Sequence, residues 1–484
     1  MGVGISNWEL ARAVAVAGRD LDTPVLGVVS GTGVEVLLIR RLQDGDPGGH
    51  MRRALAAFPA PQIVADILAA YLGDVCKPTS ARYRNGPKPS DLLSDNPRRV
   101  RAMNELSVVA NFVEVWLAKE GHDRPVGINH LEKIQLLHLP RLFGAMLAGV
   151  DYVLEGAGIP DQVPGILDRF ANHEPAQYKV DVSGSRDKLE VKFDPADLNP
   201  AWSTQKLLRP AFLAIIASNL LAKVLLDSRR VSGTVDGFVV EGPSAGGHNA
   251  PPRGKAELNH RGEPVYGEKD RVRIDQLVNL GLPFWLAGSY GSPEHLGVAL
   301  SAGATGIQAG TVFALCEESG MRPDLKTQLR RLVCEGGLDI LASAVASPTG
   351  FPFKVAQVKG TLSEEDVYES RRRRCNIAHL VRPYHTPTGR IGFRCAAEPV
   401  KAYTQKGGAP GDTRGSVCIC NGLSSTAGYS QHDKLGLEPP VITLGDDVAS
   451  ILRIPRRRDG SYTARDALAY LLGKSPSRQG INEQ

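Results

Sequence analysis

Seven short apolar runs, each closed by a glycine or a polar turn, punctuate the first two thirds of the chain. They are Pro24–Gly31, Pro125–Asn129, Val150–Gly156, Phe212–Ala217, Val235–Glu241, Pro283–Gly288 and Gly306–Gly310. Runs that are apolar almost throughout, rather than alternating, predict strands buried on both faces, the condition of a parallel sheet. Stretches with helical spacing separate them, so the pattern reads as repeated strand–helix units. The helix between the last two runs is the best marked. Ser292 stands at its N-cap, Pro293 at its first position and Gly303 at its end.

This pattern predicts an α/β fold, a TIM (β/α)8 barrel with helical and hairpin insertions and a C-terminal extension that contains cysteines. Glycines at the C-terminal ends of strands suit a barrel or a doubly wound sheet, because both bind ligands there. Seven strands are one short of a closed barrel. Met1–Ser6 reads as the loop after a first strand that lies upstream, with a helix starting near Asn7-Trp8; the alternative is that Met1–Ser6 itself supplies a short strand. Two insertions break the repeat. Residues about 36–122 are mostly helical, with a Pro-, Lys- and Arg-rich loop around Lys77–Arg98, and residues about 160–208 contain the alternating, hairpin-like Tyr178–Phe193. Such insertions decorate a barrel mouth. From Ser347 the periodicity fades until a final helix, Thr463–Leu472, so 1–346 is read as the barrel and 347–484 as the extension.

Composition narrows the function class. The chain has 484 residues, 42% hydrophobic and 23% charged, with a net charge of +5; this is ordinary for a globular protein. No basic stripe is interleaved with aromatics, which argues against nucleic acid. No apolar run approaches the roughly 20 residues of a membrane span, and the opening residues lack a signal peptide's basic leader and apolar core. A cytoplasmic protein with mostly reduced cysteines is the expectation; Cys76, Cys316 and Cys334 are scattered through barrel segments.

The segment with most chemistry is Glu241-Gly-Pro-Ser-Ala-Gly246-Gly247-His248, directly after a buried strand. Adjacent glycines let the backbone approach a flat or phosphorylated ligand. A histidine at that turn points into the mouth, where it can act as a general base near neutral pH. A tight turn with a solvated imidazole is the structural alternative. The segment resembles the Glu-Gly-x-x-Ala-Gly-Gly-His signature of nitronate monooxygenases (2-nitropropane dioxygenases), a motif shared with flavin-dependent enoyl-acyl-carrier-protein reductases. Trp285-Leu-Ala-Gly288-Ser289-Tyr-Gly291 and Gly306-Ile-Gln308-Ala-Gly310-Thr311-Val-Phe313 resemble two further turns of that family, with Ser289 in place of a second glycine. Gly127-Ile-Asn129 resembles its Gly-Val-Asn, and Met1-Gly2-Val3 the tail of its first strand. The resemblance covers residues 1–320.

What the resemblance implies is an FMN enzyme with His248 as the catalytic residue. Gly2, Val3, Asn129, Gly246, Gly247 and Gln308 would surround the flavin. Gly288, Ser289, Gly310 and Thr311 would hold its phosphate through backbone N–H groups and a helix N-terminus. It implies a small-molecule substrate, either a nitronate met with O2, with a charged His248 steadying the anion, or an enoyl thioester reduced by NAD(P)H. A scaffolding role for residues 347–484 is the reading from another class; the basic runs Arg371–Arg374 and Arg456–Arg458 there, if not solvated faces, would receive a carrier protein, and the extension could equally serve homo-oligomer contact. Cys375, Cys395, Cys418 and Cys420 crowd into the extension. Four such thiols can ligate zinc or an iron–sulfur cluster, with His379 and His385 as spare ligands. No Cys-x-x-Cys knuckle is present, and reduced structural cysteines or a redox disulfide are the alternatives.

Overall fold

The structure is a computed structural model that describes residues 2–73, 81–204, 206–255, 257–433 and 436–474. Cys76 and the start of the Lys77–Arg98 loop lie outside the described residues. All seven apolar runs form strands: β1 (Gly27–Ser30), β2 (Val126–Leu131), β3 (Tyr152–Gly156), β6 (Ala211–Ile216), β7 (Gly237–Glu241), β8 (Phe284–Ala287) and β9 (Gly306–Gln308). Between β3 and β6 the predicted hairpin appears as β4 (Ala176–Asp181) paired antiparallel with β5 (Lys188–Phe193).

The seven strands make one sheet, parallel throughout, in the order β1-β2-β3-β6-β7-β8-β9. That is the sequential order of a barrel wall. The ladder is open between β9 and β1, so the closed eight-stranded ring is not what the described residues form. Gly2–Ser6 is a turn rather than a strand, with the Ile5 N–H donating to the Gly2 carbonyl at 3.1 Å. It lies against the top of β1: the Ser30 N–H donates to the Ser6 carbonyl (2.7 Å) and the Ser6 hydroxyl to the Val28 carbonyl (2.6 Å).

Register decides what faces where. Leu154, Leu213, Ile215, Val239 and Ala287 form a cluster on the inner face of the sheet. Asn129 sits opposite Leu154, and Glu241 and Gln308 flank Ala287, so these polar side chains end the same face. On the outer face His130 sits opposite Glu155, and helices cover them. Helix α1 (Trp8–Asp20) precedes β1; the helices of the first insertion are α2 (Val34–Gln43), α3 (His50–Ala56), α4 (Pro61–Tyr71) and α5 (Pro97–Lys119), and α6 (His138–Leu147) follows β2. The helix foreseen near Asn7 is α1, capped by the Asn7 side chain, which accepts from the Leu10 N–H at 3.0 Å. α5 and α6 approach so closely that a Cβ on Gly144 would lie 2.2 Å from the Val108 carbonyl oxygen; only glycine permits that contact.

The helix Pro293–Ser301 has the foreseen Ser292 cap, which accepts from the His295 N–H, and Gly303 follows with φ +89°. The last helix, Ala464–Leu471, begins at a Thr463–Asp466 capping box and packs on α1. Just before residue 347 an antiparallel hairpin begins. Its strands, β10 (Asp339–Ser343) and β11 (Phe353–Gln357), straddle the point where the sequence texture changes. β11 runs beside the glycine turn after β7, with the Lys354 N–H donating to the Gly247 carbonyl (2.9 Å). Among the described residues no helix is long and apolar enough to cross a membrane.

Candidate functional site

At the C-terminal ends of the strands lies a cavity of about 100 Å³. Gly2, Val3, Asn129, Gly246, Gly247, His248 and Gln308 all line it, although they come from four separate stretches of sequence. Parallel strands bring this about, because their C-terminal ends collect at one rim. Gly288, Ser289, Gly310 and Thr311 lie outside this lining, at the ends of β8 and β9.

His248 is half-buried. Its Nε2 lies 2.7 Å from the Ser347 hydroxyl, which in turn lies 2.8 Å from the Thr349 hydroxyl. The ring leans on Phe353 with centroids 4.8 Å apart. Burial pushes its pKa down to about 3, so the ring is neutral at pH 7. Desolvation disfavours the cation, so this environment favours the neutral imidazole. Glu241, which opens the same segment and also lines the cavity, moves the other way: burial raises its carboxyl to about 7.

The turns expected to hold a phosphate have left-handed backbone at Gly288 and Ser289. Gly288 has φ +88°, and Ser289 follows at φ +58°, a left-handed conformation that a non-glycine residue holds only under local strain. The departure from glycine at 289 is thus met by conformation. A Cβ would meet nothing within 4 Å at Gly247 or Gly310, so both backbones front open space. Together with the Asn129 and Gln308 amides at the rim, these cradles fit a planar, phosphorylated cofactor. The cavity is smaller than the roughly 300–1,000 Å³ of most ligand clefts, so such a cofactor requires part of the lining to move outward.

Nothing in the sequence pointed to the element that ties these turns together. Residues 443–450 cross all three. The Thr443 hydroxyl accepts from the Gly247 N–H (2.7 Å), the Gly445 N–H donates to the Thr311 hydroxyl (2.9 Å), and the Asp447 carboxylate accepts from the Gly291 N–H (3.2 Å). Lys354 anchors the strap through Asp446 at 2.7 Å. Ser347, which orients His248, is likewise without a sequence signal. Its role depends on a hydrogen bond 99 residues away in the chain.

Two further imidazoles face the cavity, His130 and His379. Behind His379 lies a buried network: Arg141 donates to Glu35 through Nε (2.6 Å) and Nη2 (2.9 Å), Ser107 donates to Glu35 (3.2 Å), and His379 Nε2 sits 4.0 Å from the same carboxylate. Below it His138 and Glu155, both fully buried, are hydrogen-bonded at 2.7 Å, and Tyr178 of the hairpin stacks on His138. His130 adjoins the predicted Asn129. A polar residue at an outward strand position that helices cover is the signal that finds it.

The expected metal centre is not supported. Among the described residues no group of three or more His, Cys, Asp or Glu side chains is arranged to hold a metal ion. Cys375 and Cys395 are hydrogen-bonded to each other, which lowers the pKa of the Cys375 thiol and, with burial, raises that of Cys395. Burial also raises Cys418 and pushes Cys420 up to about 12. Cys420 turns its side into the cavity, and His379 does the same, while His385 is exposed near Asp187. At Cys395, Cys418 and Cys420 desolvation opposes the thiolates that a metal needs.

No family model matches the chain, and no curated protein matches it. Solved structures similar to it include a FabK mutant from Thermotoga maritima, at 14% identity and a TM-score of 0.42, covering 98% of this chain and 89% of that one. A nitroalkane oxidase from Streptomyces ansochromogenes matches at 12% identity and a TM-score of 0.43, covering 98% and 93%. The enoyl reductase domain of MlnA from the macrolactin biosynthesis cluster of Bacillus amyloliquefaciens matches at 12% identity and a TM-score of 0.40, covering 78% and 86%.

Proposed function

We propose that this protein is an FMN-dependent oxidoreductase of the nitronate monooxygenase type, built on a (β/α)8 barrel. The observation that carries the reading is the convergence, at one rim of a parallel sheet, of the long Glu241–His248 signature with Asn129, Gln308 and the N-terminal Gly2-Val3 turn. Gly246, Gly247, Asn129 and Gln308 would hold the ring system; Gly288, Ser289, Gly310 and Thr311 would hold the phosphate. A flavin bound there supplies the redox chemistry.

His248 orients the substrate on this reading. A neutral ring fixed by Ser347 donates or accepts one hydrogen bond and is a poor acceptor of an α-proton. It therefore suits an anion that arrives already deprotonated, such as a nitronate, better than a parent nitroalkane. Glu241, with its carboxyl raised to about 7, is the group able to exchange a proton near neutral pH. The same depressed basicity favours a second reading, an NAD(P)H-dependent enoyl-thioester reductase in which His248 donates to the thioester carbonyl.

Anaerobic reduction of the FMN-loaded chain separates the two. Bleaching by a nitronate and not by NAD(P)H is the expected result; rapid bleaching by NAD(P)H selects the reductase, and failure to bind FMN defeats both. His248→Ala should abolish turnover while sparing flavin content. Unchanged turnover would remove His248 from the site.

A further inference from the structure

The reading above leaves the inner wall of the cavity without a role. The lining left unused includes His130 and His379, together with the apolar side chains of Val36, Ile134, Leu380 and Ile419. His130 is 3% exposed, and neither of its ring nitrogens has a hydrogen-bond partner. Buried polar groups in native folds are almost always paired, so an imidazole with both nitrogens open needs a reason. The ring is held in place rather than loose. A Cβ at Gly31 would lie 2.4 Å from its Cε1, so the imidazole rests against bare backbone and has no room to turn away. His379 is 7% exposed and is steadied from behind by the Glu35–Arg141 pair. Burial lowers the pKa of both rings, that of His379 to about 4, so both are neutral at pH 7.

We infer that His130 and His379 form the substrate subsite, which takes the sp2 oxygen of a small and otherwise apolar molecule. The inference rests on the flavoprotein reading for the word substrate. The geometry itself says only that a hydrogen-bonding oxygen completes His130. Two neutral N–H groups suit an oxygen that is neutral or whose charge is delocalised, as in a nitro or nitronate group or a thioester carbonyl. The side chains of Val36, Ile134, Leu380 and Ile419 give the rest of the molecule an apolar bed.

The test uses the full chain loaded with FMN and three probes: 1-nitropropane, its nitronate, and the crotonyl thioester of N-acetylcysteamine. Calorimetry gives the probe Kd and flavin fluorescence gives the FMN Kd. His130→Leu should weaken at least one probe about tenfold, the value of one hydrogen bond, and leave the FMN Kd within twofold. His130→Gln, which keeps a donor, should recover most of the loss. The probe that responds tells the nitro source from the thioester source. The inference is overturned if no probe moves more than twofold, or if FMN weakens as much as the probe. Should His130→Leu fail to fold, 15N-histidine spectra of the unaltered chain decide instead: the His130 ring signals should shift on adding the probe, and constancy overturns the subsite. Failure of the chain to bind FMN sinks only the flavoprotein reading, since the same titrations on the flavin-free chain still test His130.

Discussion

Glu35→Gln is the substitution with the largest calculable effect. Glu35 and Arg141 are each 2% exposed in their side chains. The carboxylate receives two guanidinium N–H groups and the Ser107 hydroxyl, with His379 beside it. An amide of the same shape removes the negative charge and leaves the guanidinium buried and unpaired, a change that costs about 3–5 kcal/mol. Against a total stability of about 5–15 kcal/mol, that is a large fraction. At a urea slope of about 4 kcal/mol per M, reasonable for a chain of this size, the unfolding midpoint should fall by about 1 M. Arg141→Met alone should cost as much, because it strands the carboxylate. Glu35→Leu combined with Arg141→Met should regain most of the loss, since no charge is then left without a partner. Urea titration followed by tryptophan fluorescence reads all four proteins. A loss below about 1 kcal/mol in the single variant, or a double variant no better than either single, refutes the argument that an uncompensated charge is the cause.

Two more outcomes follow from the same structure. His130 and His379 have pKa values below the usual 6.5 because they are buried; as pH falls through 6.5 the unfolded chain takes up protons that the folded chain refuses. Stability should therefore be full above about pH 6.5 and decline between pH 6 and 5, by about 1.4 kcal/mol per pH unit for each ring, and His130→Phe should flatten the urea-midpoint slope by one proton's worth; an unchanged slope contradicts the burial argument. Asp447 places a carboxylate on the Gly291 N–H, beside the turns assigned to the FMN phosphate; a like charge some 4 Å away costs about 1 kcal/mol even in water, so Asp447→Asn should tighten FMN about fivefold and leave riboflavin unchanged, and equal effects on the two ligands in fluorescence titrations would show that the strap does not meet the phosphate.

Much of this architecture is written in local sequence. All seven strands were legible because parallel strands buried on both faces require continuous apolar runs. The Asn7, Ser292 and Thr463 caps announce their helices because a short polar side chain must satisfy the first free N–H groups. The glycine turns were legible because positive φ and close approach exclude most other residues. The sequence also marked the Gly246-Gly247-His248 turn at the rim.

Tertiary structure decided the rest. His248 reads as an ordinary base until the tertiary structure sets it on Ser347 and Phe353 and burial disfavours its charged form. A pKa depends on the dielectric and partners around a group, and these come from residues far away in the chain. For the same reason the four crowded cysteines suggested a metal, while burial raises the pKa of Cys395, Cys418 and Cys420 and no metal-holding group is formed among the described residues. The 443–450 strap carries no motif, because its contacts are backbone N–H groups and short polar side chains that most loops possess. His130 looked like a neighbour of Asn129 and no more. Strand alternation sends the two side chains to opposite faces, and only the helices packed outside the sheet bury His130 beside the cavity with both ring nitrogens unpaired.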